Sequence, residues 1–124
     1  MAEIDSEIRS EIEKIIEEDP RYREEAYLFV LKAVEWVIDE LPSPRHVSAW
    51  ELLDGIRRYA IEKFGPMAKE VFNFWGIKKT DDFGYIVYNL IDHNLLRKSE
   101  EDRLEDFFGV YDFKDVFENG YFEG

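Results

Sequence analysis

The chain of 124 residues lacks cysteine and contains only two histidines and two methionines. Without thiols it can form no disulfide, no thiolate nucleophile and no cysteine zinc site. It also lacks a long apolar run, because segments such as YLFVL are only a few residues long and the opening MAEIDSEIRS is acidic. The sequence therefore predicts neither a membrane-spanning helix nor a secretory signal. We expect a cytoplasmic protein that does not bind membranes.

Glutamine is absent as well, whereas 36% of the residues are charged. A shortage of heat-labile side chains combined with abundant charge is typical of proteins that work at high temperature. The composition therefore favours a thermophilic source.

Positive charge is scarce: 16 Lys and Arg stand against 29 Asp and Glu, for a net charge of −13. Residues 1–25 have a net charge of −6, residues 26–98 are neutral, and residues 99–124 have a net charge of −7. Nucleic acids and anionic membranes repel a protein with this balance. We therefore expect a basic protein partner or self-association, unless the acidic ends serve solubility alone.

What the chain does contain is a strong helical pattern, with apolar residues three and four positions apart. This spacing predicts five helices, at about 5–18, 22–41, 49–64, 66–75 and 81–94. The second helix has an apolar face so wide that we expect it to be buried on two sides as the central helix.

Several local signals mark where these helices begin and end. Ser48 followed by Glu51 predicts a capping box at the start of the third helix. Gly65 and Gly76 are expected to terminate the third and fourth helices, and Asn94 to end the fifth in a left-handed conformation.

After residue 94 the apolar period shortens toward two, which indicates two short strands, LLRKS and a stretch within LEDFFGVYDF, around the turn EEDR. Helix, short helix, glycine turn, helix, strand, turn and strand is the order of a winged helix-turn-helix. We predict a mainly α protein with one domain at 1–124. It consists of an N-terminal helical arm at 1–41, a winged helix-turn-helix-like unit with a small C-terminal β-hairpin at 47–113, and an aromatic acidic tail at 114–124. A hairpin cannot bury all seven aromatic residues between 107 and 122, so Tyr121 and Phe122 are predicted at an interface or in a disordered end.

The segments DPRY, EAYLFV, RHVSAWELLDGIR, FGPMA, WGI, DFGYIVYNLI, EDF and YDF occur in this order. Together they resemble a bacterial family of short uncharacterised proteins, the Minf repeat family, over about residues 19–113. Arg23 stands where the resemblance would place proline, which leaves the start of the second helix open. The resemblance implies a stand-alone bacterial protein and implies no activity or catalytic residue.

The fifth helix, in the position of a recognition helix, contains three aspartates and neither lysine nor arginine. Winged helices bind DNA through cations at this place. The predicted exposed face instead combines aspartate with tyrosine, which suits a protein partner. We expect a non-enzymatic protein-interaction module without a cofactor, whose partner-binding residues are Asp81, Asp82, Tyr85, Tyr88 and Asp92.

The alternative function is a nucleic-acid-associated regulator that uses a basic face away from the fifth helix. That face would need the cation pairs to converge, namely Arg57–Arg58, Lys78–Lys79 and Arg97–Lys98.

Arg45 and His46 form a weaker candidate site just before a helix N-terminus, where anions are attracted. His46 would act there as a general base with Tyr22 or Asp19 nearby. The other interpretation is that both side chains tie the loop to neighbouring carboxylates. No metal site is predicted, because SEEDRLED at 99–106 lacks the spacing and glycine of a calcium loop.

Overall fold

The computed structural model describes residues 6–119, and their regular secondary structure consists of helices joined by turns and loops. The five α-helices are α1 (Ser6–Glu18), α2 (Glu24–Asp39), α3 (Ala49–Phe64), α4 (Ala68–Phe74) and α5 (Thr80–Asp92). Short 3₁₀ turns at Gly65–Met67 and Leu104–Phe107 and a π-helical turn at Lys114–Asn119 complete the described chain. Within these residues, no helix has the length and apolar character needed to cross a membrane.

The prediction of a mainly α fold is confirmed, but the predicted C-terminal β-hairpin is wrong, because residues 6–119 contain no strand. Residues 104–107 form a helical turn instead, and it packs Phe107 against Gly84 of α5. A β-carbon on Gly84 would lie 2.8 Å from that of Phe107, so only glycine permits this contact. Before this turn, the Asp102 carboxylate accepts a hydrogen bond from the Ser99 amide at 2.8 Å. Local turns therefore satisfy backbone groups that a hairpin ladder would otherwise have paired.

Helix α2 is the central helix, as its wide apolar face predicts. Six of its residues are buried, and it packs against α1, α3 and α5. Arg23 is its N-cap in an extended conformation, so the helix begins directly after this residue.

An aromatic cluster centred on Phe72 of α4 fills the core. Phe72 is fully buried, and four rings lie 5.2 to 5.8 Å from its own, those of Phe29, Phe83, Phe113 and Phe117. Burial of each such ring stabilises the fold by about 1.5–3 kcal/mol. Part of the predicted tail therefore belongs to the core, since Phe117 lies in the turn at Lys114–Asn119. Tyr121 and Phe122 lie outside the described residues.

The predicted helix boundaries are confirmed where local chemistry sets them. Ser48 Oγ accepts a hydrogen bond from the Glu51 amide, and the Glu51 carboxylate accepts one from the Ser48 amide. Asn94 has a φ of 62° and Gly65 a φ of 53°. At Gly76 the φ is 93°, and a β-carbon would lie 2.3 Å from the Arg21 carbonyl oxygen. This glycine lets the α4–α5 turn lie directly on the α1–α2 connection.

Candidate functional site

The start of α5 is tied to the α1–α2 connection through Asp82. Its carboxylate accepts a hydrogen bond from the Tyr22 hydroxyl at 2.5 Å and from the amides of Lys78 and Lys79 at 2.8 and 3.2 Å. Burial, and then the hydrogen bond to Asp82, raise the pKa of Tyr22. Asp82, one of the five predicted partner-binding residues, therefore has three intramolecular donors.

Asp81 holds the chain that follows the 3₁₀ turn at 104–107. Its carboxylate accepts a hydrogen bond from the Gly109 amide at 3.0 Å. The buried Thr80 beside it accepts one from the Val110 amide at 3.1 Å. These two contacts place Phe108 over the outer face of α5.

Tyr85 lies between two side chains that are distant in sequence. The Arg21 guanidinium carbon is 4.5 Å from the Tyr85 ring centroid, and the Phe108 ring is 5.9 Å from it. Arg21 is itself fixed by Asp19, at 2.8 and 2.7 Å, and this contact lowers the pKa of Asp19. Phe108 remains 39% exposed.

Asp81, Tyr85 and Asp92 share one helical face at spacings of four and seven residues. We call these three residues together with Phe108 the α5 surface. Asp92 is exposed at its far end. Phe108 was not among the residues predicted from the sequence, although its position after Phe107 was a signal. Phe107 ends the 3₁₀ turn and Phe108 follows it in an extended conformation, so one ring is buried and the other is not.

Tyr88, the remaining predicted residue, belongs to a different surface. It lines an apolar cleft of about 600 Å³ enclosed by α2, α3, α5 and the segment 95–107. Its hydroxyl oxygen is buried and has no hydrogen-bond partner among the described residues. Burial raises the pKa of Tyr88, and the carboxylates of Asp102, Asp106 and Glu105 raise it further. We call this space the α2–α5 cleft.

Arg45 and His46 lie at the mouth of the α2–α5 cleft, and both contact carboxylates. Arg45 binds Glu51 through two contacts of 3.1 and 2.8 Å, which lower the pKa of Glu51 to about 2. His46 Nε2 is 2.7 Å from Asp102 Oδ2. The two side chains thus connect the α2–α3 loop to α3 and to the segment 95–107. Tyr22 instead contacts Asp82 at the start of α5, and Asp19 contacts Arg21 and Asn89.

Two of the three cation pairs contact neighbouring side chains, and the third lies at the α2–α5 cleft. Arg57 and Arg58 both bind Asp54, and Arg58 also reaches Glu40 at 2.9 Å. Lys78 binds Asn73, and Lys79 lies 3.8 Å from Asp81. Arg97 lines the α2–α5 cleft, and Lys98 Nζ is 6.0 Å from the centroid of the Tyr88 ring.

Within residues 6–119, no three side chains of the metal-binding types are arranged to hold an ion. Comparison of the chain with protein-family models, with curated proteins and with solved structures gave no match. The resemblance to the Minf repeat family therefore stays a prediction from the quoted segments.

Proposed function

We propose that this protein is a non-enzymatic protein-interaction module that binds a basic protein segment on the α5 surface. The observation that carries this proposal is Phe108, which packs against Tyr85 in a tilted arrangement yet remains 39% exposed. Aromatic side chains fixed in position but open to solvent are typical centres of protein interfaces, because they lose little conformational entropy when a partner covers them.

Charge around the α5 surface favours a basic partner. Asp92 of this surface is exposed, Glu105 and Asp106 are exposed on the turn that precedes Phe108, and the charge of Arg21 is balanced by Asp19 at 2.7 Å. These carboxylates would raise the association rate of a partner that carries lysine or arginine, and they would orient it on the surface. In this proposal Asp81 and Asp82 mainly position neighbouring segments, since they already accept hydrogen bonds from Gly109 and Tyr22.

The test is selection of a displayed random-peptide library on the immobilised protein. We expect enriched peptides with a net positive charge and at least one large apolar residue. Phe108→Ala should weaken their binding about tenfold or more, the effect of removing a central interface aromatic. Asp92→Lys should weaken it further, and added salt should reduce the effect of Asp92→Lys.

The matched control is Phe74→Ala. Phe74 is 66% exposed and, like Tyr85, lies under an arginine, with the Arg23 guanidinium carbon 4.6 Å from its ring centroid. If Phe108→Ala and Phe74→Ala lose equal amounts of peptide affinity, or if acidic peptides are enriched, the α5 surface is ruled out as the binding site. A parallel titration with duplex DNA addresses the nucleic-acid alternative, for which tight and salt-sensitive binding is the expected result.

A further inference from the structure

The α2–α5 cleft has properties that the proposed protein-interaction function does not use. Its volume of about 600 Å³ is in the range of small-molecule sites. Its walls are apolar and come from three helices and the 95–107 segment, among them Val34, Leu52, Val87, Ile91, Leu96 and Phe107. A ligand with an apolar body would therefore be covered on several sides.

Two arginines at the cleft mouth have no ion-pair partner among residues 6–119. Arg97 and Arg103 both line the cleft and are exposed. Neither forms an ion pair within residues 6–119, in contrast to Arg45 at the same mouth, which binds Glu51. In a chain with a net charge of −13, two unpaired guanidinium groups beside an apolar cleft are complementary to an anionic group. Their planar donor geometry matches a carboxylate.

A further donor lies on the cleft wall. The buried Tyr88 hydroxyl has no hydrogen-bond partner among the described residues, and such an unsatisfied group destabilises the fold. Because this oxygen is closed to solvent, a ligand oxygen would become its acceptor only after a local side-chain movement. The nearby carboxylates of Asp102, Glu105 and Asp106 act electrostatically on Tyr88, and they would repel a doubly charged phosphate more strongly than a singly charged carboxylate.

We propose that the α2–α5 cleft binds an alkyl carboxylate, with the chain in the apolar cleft and the carboxylate at Arg97 and Arg103. Specificity for the head group then comes from the arginines, and affinity comes from the length of the buried chain. This site is separate from the α5 surface, so either proposal can fail without the other.

The experiment is calorimetric titration with decanoate below its micelle concentration, next to decanol and decyltrimethylammonium. We expect saturable binding of one decanoate, weaker binding of decanol and the weakest binding of the cation. Binding should strengthen up to roughly 16-fold from octanoate to decanoate, because each of the two added methylenes contributes about fourfold when buried. Methyl NMR shifts should change at Val87, Ile91 and Leu96.

Variants separate the head group from the chain. The double substitution Arg97→Gln with Arg103→Gln should weaken decanoate binding about tenfold or more and leave decanol unchanged. Lys78→Gln with Lys79→Gln removes the same charge away from the cleft and should bind decanoate normally, as should Phe108→Ala. Tyr88→Phe tests the hydroxyl alone and should weaken decanoate more than decanol.

Three results would overturn the proposal: no saturable decanoate binding, equal binding of all three head groups, or an equal loss of decanoate affinity in the arginine and lysine double variants. Stronger binding of decyl phosphate than of decanoate would contradict the assignment to a carboxylate. Because Arg97 and Arg103 are exposed, both double variants are expected to keep the melting temperature of the unmodified protein, which circular dichroism can verify.

Discussion

At the scale of single residues, polar side chains of α5 bind this helix to the N-terminal helices and their connection. Asp82 joins a helix N-terminus to Tyr22, a residue 60 positions away, through one hydrogen bond of 2.5 Å. Asn89 makes a similar connection two helical turns further along the same face, donating to Asp19 and to the Tyr27 hydroxyl at 2.9 and 3.1 Å. The polar pattern that suggested a recognition face therefore also fixes α5 against the N-terminal helices.

We predict that Tyr22→Phe lowers the free energy of unfolding by about 1.5–3 kcal/mol. The Tyr22 ring is 2% exposed, so packing is retained while Asp82 loses a hydrogen bond to its charged carboxylate. Urea denaturation measures the change. The matched control is Tyr59→Phe, since Tyr59 is 9% exposed and its hydroxyl makes no hydrogen bond among the described residues. If the two variants lose the same stability, the Tyr22–Asp82 contact contributes nothing specific.

At the scale of elements, α1 is attached to the end of α5 through His93. Its Nδ1 is 3.0 Å from a Glu11 carboxylate oxygen, and its Nε2 is 3.0 Å from one of Glu18. Hydrogen bonding to Glu11, and then to Glu18, raises the pKa of His93, and the same contact lowers the pKa of Glu11. Lys14 also bonds to Glu11 at 3.1 Å. We therefore expect the attachment of α1 to depend on pH.

The direction of this dependence follows from the raised pKa of His93. The charged imidazole stabilises the fold fully below its unfolded pKa of about 6.5. That contribution to stability is lost as the pH rises through the higher pKa that His93 has in the folded protein. At the acid end, the contribution of Glu11 is lost as the pH falls below its ordinary pKa of about 4.5.

We predict that His93→Gln destabilises the protein more at about pH 5.5 than at about pH 8.5. The measurement is urea denaturation at both pH values and constant ionic strength. His46→Gln serves as control, because the contacts of His93 with Glu11 and Glu18 are intact in that variant and the loss of stability with rising pH should persist. The same stability difference between His93→Gln and the unmodified protein at both pH values would disprove the proposed role of the imidazole charge.

At the scale of the whole molecule, the C-terminal segment 113–119 contributes buried side chains to the core. Phe117 is fully buried, and its ring is 5.5 Å from Phe72 and 5.4 Å from Phe113. Lys69 of α4 adds an exposed ion pair with Glu118 at 3.2 Å. The apolar contacts dominate, since exposed ion pairs contribute little.

We predict that deletion of residues 114–124 lowers the melting temperature by on the order of 10 °C, because losing a buried phenylalanine costs roughly 3–5 kcal/mol. Thermal unfolding followed by circular dichroism provides the measurement. Deletion of residues 120–124 alone retains Phe117 and serves as the control, with an expected melting temperature close to that of the full chain. An unchanged melting temperature after the longer deletion would show that the packing of Phe117 is dispensable.

The sequence by itself determined the helices and most of their ends. Backbone hydrogen bonds of a helix are local, so apolar spacing and caps such as Ser48, Gly65 and Asn94 contain the necessary information. Segment 95–113 was mispredicted because a strand needs a partner, and alternation over a few residues does not reveal whether one exists. Here the contact between Phe107 and Gly84 favoured a helical turn.

Only the tertiary structure decided which residues share a surface. Arg21 reaches Tyr85 across 64 positions of the chain, and Asp81 places Phe108 on the same face through Gly109. Tyr88, three residues after Tyr85, faces the α2–α5 cleft with Arg97 and Arg103. Helical spacing placed these tyrosines on one face, but neighbouring elements divided that face in two. The physical reason is that exposure depends on what packs against a helix, and packing partners come from anywhere in the chain.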